Sequence, residues 1–209
     1  MILNLFQTLR TFFLITLMMF LGVTISPAQS LLENGSFDDP EDPLKGWITD
    51  YEFTGNSHYV GNKAHVTIGR EGSKKSVALF ADENGEGGVK MESEPFPLEP
   101  GYKYTGKLDI KTGHLYRVYF MGYKWKPGIR PHDNPTLGEL RPVYKSRAIT
   151  SDSSSWSREK FELPAVKLSD AAKKHLKQVR FLTMYIFFVG GGAVDDVELT
   201  KTRDRDMDF

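Results

Sequence analysis

From residue 31 onward, apolar and polar residues alternate with a period of two, and that pattern commits the chain to β-structure. Tyr102, Tyr104, Leu108 and Ile110 alternate with Lys103, Thr105, Lys107, Asp109 and Lys111, as in a strand with one face buried and one in water. Shorter runs of the same kind occupy 31–37, 64–69, 76–81, 88–92, 143–150 and 156–163. Clusters of Gly, Pro, Asn and Asp separate them, as at 83–88 and 99–101. One short helix is expected over 169–177, with Ser169 as its N-cap. About ten short strands joined by turns predict an all-β sandwich or jelly roll.

Three stretches break the alternation. Residues 126–142 (KPGIRPHDNPTLGELRP) hold four prolines and two glycines, too many for a central strand, so a long loop is expected. Residues 201–209 (KTRDRDMDF) are charged and follow the last strand, which predicts a frayed tail. At the other end, 1–10 has Arg10 as its single charge, 11–25 is uncharged and apolar, and Ser26-Pro27-Ala28 offers small residues for cleavage. Together these describe a secretory signal peptide over 1–28, because the run is shorter than the about 20 residues that cross a bilayer.

The expected organisation is therefore a signal, one β-sandwich domain over 29–200, and a tail. The protein is expected to be secreted, periplasmic or on the cell surface, with no transmembrane segment after cleavage. The 181 residues after Ala28 carry 26 basic and 27 acidic side chains. So even a balance gives no field for nucleic acid. There is no cysteine, which excludes disulfides, thiol chemistry and cysteine-dependent zinc sites.

Four motifs occur in a telling order. The chain opens with Leu31-Leu32-Glu33-Asn34-Gly35-Ser36-Phe37-Asp38, then Gly46-Trp47. Pro100-Gly101-Tyr102-Lys103-Tyr104 and Ser153-Ser154-Ser155-Trp156 follow, and Gly191-Gly192-Ala193-Val194-Asp195-Asp196-Val197-Glu198-Leu199 closes it. This order resembles the galactose-binding-like jelly rolls, particularly carbohydrate-binding modules of the family 4, 9 and 22 type, over nearly all of 31–200. The resemblance implies a jelly-roll β-sandwich of two antiparallel sheets whose first and last strands are neighbours. It also implies a structural Ca²⁺ held by Asp38 and Asp195, with Asp196 as a lesser ligand, and core positions for Trp47 and Trp156. Calcium takes six to eight oxygen ligands and would relieve the repulsion of carboxylates meeting at a strand end. The chain departs from the pattern at Asp38, where the family favours Glu. On the alternative reading Asn34-Gly35 is a plain turn and the aspartates are solvated.

Trp125 falls outside these motifs. It ends 115–125 (LYRVYFMGYKW), which has two apolar faces, as does 179–189 (VRFLTMYIFFV). A sandwich strand needs only one. Either the Pro-rich loop covers the second face, or Arg117, Tyr119, Tyr123, Trp125 and Tyr185 form a platform on which a sugar ring stacks. No G-x-S-x-G, H-E-x-x-H or E-x-D-x-x-E motif is present, and the five histidines lack ligand spacing. The leading expectation is an exported, non-catalytic module that binds an extracellular poly- or oligosaccharide. A stand-alone structural or protein-interaction domain is the alternative, and a glycan-active enzyme with an unrecognised site comes third.

Overall fold

The computed structural model describes residues 30–49, 65–81, 88–150, 153–164 and 168–204, so the expected signal peptide lies outside the described residues. Eleven strands are described: β1 (Trp47–Thr49), β2 (His65–Glu71), β3 (Lys74–Ala81), β4 (Val89–Ser93), β5 (Phe96–Pro97), β6 (Tyr102–Thr112), β7 (Tyr116–Trp125), β8 (Leu140–Lys145), β9 (Ser153–Leu163), β10 (Phe181–Phe188) and β11 (Gly192–Arg203). One sheet runs β1-β4-β10-β7-β8, with β5 also on β10, and the other runs β2-β3-β11-β6-β9. All their pairings are antiparallel. The fold is the expected all-β jelly-roll sandwich.

Alternation builds the core. Leu182, Met184, Ile186 and Phe188 of β10, with Val118 and Phe120 of β7, point inward and are fully buried. They pack in one cluster with Tyr104, Leu108 and Ile110 of β6 and Val194 and Leu199 of β11. Each such side chain contributes roughly 1.5–3 kcal/mol on burial. Phe120 meets Phe161 of β9, ring centroids 4.9 Å apart, and so joins the two layers.

The opening segment differs from expectation in form but not in place. Residues 31–37 make turns rather than a strand, with Asn34 and Phe37 at φ 46° and 55°. The Asn34 side chain donates to Pro43 O (2.7 Å) and accepts from Asp39 N (3.1 Å), the local bonding by which Asn competes with a strand ladder. The segment nonetheless lies along β11. Leu31 N donates to Leu199 O (2.7 Å), and Val197 N donates to Gly35 O (2.8 Å). A Cβ on Gly35 would lie 1.9 Å from Val197 O, so only glycine permits this approach.

The short helix α1 (Asp170–Leu176) stands where expected, its Ser169 Oγ accepting from Ala172 N at 3.2 Å. Three other boundaries shift. The Pro-rich loop ends in a 3₁₀ turn, Leu137–Glu139, and β8 begins at Leu140. Pro142 is tolerated there because β8 is an edge strand. Beyond β8, 146–150 is no strand but stays on β7 through a bridge from Ile149 to Val118 and through Ser146, whose N donates to Phe120 O at 2.9 Å. The expected frayed tail is strand through Arg203, paired with Tyr102, and 205–209 lie outside the described residues. Trp47 is buried beside Phe37, as expected. Trp156 is not in the core: it is only partly buried, and Lys74 Nζ lies 5.1 Å from its ring centroid. Among the described residues no helix is long and apolar enough to cross a membrane.

Candidate functional site

The strand partners of β7 and β10 place Arg117, Tyr119, Tyr123, Trp125 and Tyr185 together on the outer face of the β1-β4-β10-β7-β8 sheet. Their inward neighbours Val118, Phe120, Met184 and Ile186 are buried in the core. The face is not an evenly open strip. Tyr119 and Tyr123 are only 6% and 7% exposed, Trp125 and Tyr185 are half-buried, and Arg117 is exposed.

Its centre is a layered stack. Tyr119 and Tyr185 are direct register partners, and their rings stack 4.6 Å apart at 17°. Lys145 Nζ caps the other side of Tyr119, 4.1 Å from its centroid, and Lys90 Nζ lies 5.7 Å from that of Tyr185. The order Lys90, Tyr185, Tyr119, Lys145 follows the strand order β4-β10-β7-β8. Cations over aromatic faces are attractive. With both ring faces taken, neither tyrosine offers a free face on which a sugar could stack.

Beside this stack lies a residue that the sequence reading missed. Glu92 is 1% exposed and accepts from Tyr123 Oη (2.5 Å) and from Thr183 Oγ1 on the same oxygen. Burial first, and the adjacent Glu92 carboxylate second, push the Tyr123 phenol far above its ordinary range. In the sequence Glu92 alternates with Met91 and Ser93 and reads as a solvent-facing charge. Its burial is matched by the hydroxyls of the cross-strand tyrosine and threonine.

Trp125 stands at the end of the face. Its ring meets Phe181 edge-on (5.4 Å, 86°) and lies 4.9 Å from the His132 ring of the Pro-rich loop. Leu137 and Leu140 pack into the same small cluster. The loop therefore covers part of the second apolar face, as one of the two sequence readings expected. It also leaves an open cleft of about 680 Å³, with Trp125, Phe181, Pro97 and Pro131 as apolar walls and Arg180, His132 and Asp133 as polar ones.

The aspartates of the implied calcium site meet a protein cation. Lys74 Nζ lies 2.8 Å from Asp195 Oδ2, 2.9 Å from Asp109 Oδ2 and 2.9 Å from Asp196 Oδ2. Arg158 adds a second cation on Asp109, at 2.9 Å. Asp38 is exposed. Among the described residues no three His, Asp or Glu groups are arranged to hold a metal ion. As they stand these residues do not fit calcium, because an ammonium occupies the point on which the carboxylates converge. Burial would lower the Lys74 pKa, but its bonds to Asp195, Asp109 and Asp196 prevail and raise it. Burial, the largest influence, keeps the Asp195 carboxyl above its ordinary range despite the bond from Lys74.

No protein-family model and no curated protein matches the sequence. Among solved structures, the chain is similar to three of note. The first is the enzymatically active domain of bacteriophage CBA120 tailspike protein 4 (9% identity, TM-score 0.47, 83% of this chain and 21% of that one). The second is the tandem CBM22 domain of Paenibacillus barcinonensis Xyn10C (12%, 0.46, 76% and 47%). The third is the N-terminal cellulose-binding domain of Cellulomonas fimi β-1,4-glucanase C (16%, 0.44, 83% and 97%). The chain thus spans about a fifth of the tailspike chain and just under half of the tandem domain.

Proposed function

We propose that this protein is an exported carbohydrate-binding module without a catalytic role, and that the cleft at Trp125 is where the glycan ring stacks. The observation that carries the reading is the cleft itself. Its half-buried tryptophan and Phe181 offer apolar surface to the C–H face of a sugar, and Arg180, His132 and Asp133 stand within reach of its hydroxyls. A mostly apolar concavity with a few polar groups is the usual form of a ligand site. The described strands of this sheet carry a single acidic residue, Glu92, where glycoside hydrolysis ordinarily takes two.

Titration of the protein with soluble polysaccharides, followed by affinity electrophoresis and calorimetry, tests this. A stacked anchor behaves as an interface hot spot, so Trp125→Ala is expected to weaken binding by about 2 kcal/mol or more while urea unfolding remains cooperative. A folded Trp125→Ala protein with unchanged affinity would remove the cleft from the binding site. The burial of Tyr119 and Tyr123 favours a second reading, a structural or protein-interaction domain, which the absence of binding to any glycan would support.

A further inference from the structure

The strands of the β1-β4-β10-β7-β8 sheet carry five basic residues, Lys90, Arg117, Lys124, Arg141 and Lys145, against the one acid Glu92. That acid is spent inside the protein on Tyr123 and Thr183. Arg117 and Lys145 are exposed on the outer face, and among the described residues neither has a carboxylate partner. Lys145 instead rests on Tyr119. From Trp125 to Arg117 the outer face of β7 runs eight residues, roughly 26 Å. It passes from an aromatic cleft, past the buried Tyr123 and Tyr119, to two cations without a carboxylate partner among the described residues.

We infer that the glycan bound here is anionic, a polysaccharide bearing carboxylate or sulfate groups that Arg117 and Lys145 neutralise while a ring stacks at Trp125. The inference rests on the carbohydrate reading above and names its ligand class. The physical reason is complementarity. A neutral chain laid along β7 would partly desolvate two cations and return only hydrogen bonds to uncharged hydroxyls, whereas an anionic one adds ion pairs in which both partners are charged. Whole-chain charge is balanced, so the preference would come from this face rather than from a general field.

The test compares polygalacturonate and dextran sulfate with neutral xylan and mixed-linkage β-glucan, at low and high salt. It uses the wild type, Arg117→Leu/Lys145→Met and the charge-conserving Arg117→Lys/Lys145→Arg. Binding to at least one anionic polymer is expected, weakening as salt rises. The first double variant should lose roughly tenfold or more in affinity, and the second should keep most of it. Preference for polygalacturonate would identify the anion as carboxylate, and preference for dextran sulfate as sulfate. Equal or tighter binding of neutral glycans, untouched by salt or by the first variant, would overturn the anionic class yet leave the carbohydrate reading standing. Failure to bind any of the four polymers would overturn both. Single-stranded DNA held as tightly through the same two residues would also overturn the assignment to a glycan.

Discussion

Across the outer face of the β2-β3-β11-β6-β9 sheet, most acids and bases neutralise one another. Lys74 serves Asp109, Asp195 and Asp196, and Arg158 links Asp109 to Glu198. Glu162 takes Lys103 and Lys160, and Lys111 meets Glu71 at 2.5 Å. Across the opposite outer face the acid is buried under hydroxyls, and the bases sit on tyrosine rings or in water. Both sheets pack against the same core with their inner faces, and both are antiparallel. The difference teaches that alternation places a charge outside without saying what it is for. The first face is largely satisfied internally, and the second leaves cations and an aromatic cleft available to a partner.

The sharpest way to break this comparison is to unbalance the satisfied face. Lys74→Met removes the ammonium that three carboxylates share. Since the lysine side chain is 24% exposed, less than a fully buried pair is at stake, and a loss of about 2–3 kcal/mol by urea unfolding is expected. The wild type should melt at the same temperature with and without EDTA, because the counter-cation belongs to the chain. A loss within the few tenths typical of surface pairs would demote the cluster to ordinary solvated charge.

Next in size is the buried acid of the other face. Glu92→Ala strips the Tyr123 and Thr183 hydroxyls of their acceptor and should cost about 2 kcal/mol. Glu162→Ala, on the satisfied face, should cost less than about 1 kcal/mol. Equal costs would erase the distinction between a buried network and a surface lattice.

The smallest effect concerns the loop over Trp125. Glu139 accepts from Thr136 N (2.8 Å), Thr136 Oγ1 (2.9 Å) and His132 (3.1 Å). The Thr136 backbone bond first, then His132, hold its carboxyl down at about 2. A carboxyl depressed in the folded state stabilises it above the unfolded pKa, about 4.3, and that contribution is lost as pH falls toward about 2. Tryptophan fluorescence should therefore shift across this acid window as His132 loosens from Trp125. In Glu139→Gln that acid-dependent step should be missing, and a step of the same size there would free the loop from this tether.

Long alternations were readable without coordinates. Strands over 102–112, 116–125 and 181–188 lie within a residue or two of their expected bounds, because burial on one face imposes period two wherever a strand is long. The Ser169 cap was legible because its bond is local. Trp156 shows the limit of likeness to other proteins. Phe161 and Leu163 point inward, so alternation along β9 already puts Trp156 outside, and the resemblance alone assigned it to the core. In the opening segment Asn34 bonds its neighbours and replaces the expected strand with turns.

By itself, then, the sequence determined that the chain is an all-β sandwich and that Arg117, Tyr119, Tyr123 and Trp125 share one face of their strand, since these follow from local alternation. Only the pairing of β10 with β7 added Tyr185 to that face. Tertiary structure alone decided which of them remain accessible. It stacked Tyr185 on Tyr119, sank Glu92 beneath Tyr123, and folded His132 against Trp125. It also brought Lys74 to Asp195 from 121 residues away. Such contacts depend on register and on loop closure between distant strands, and no local pattern records them.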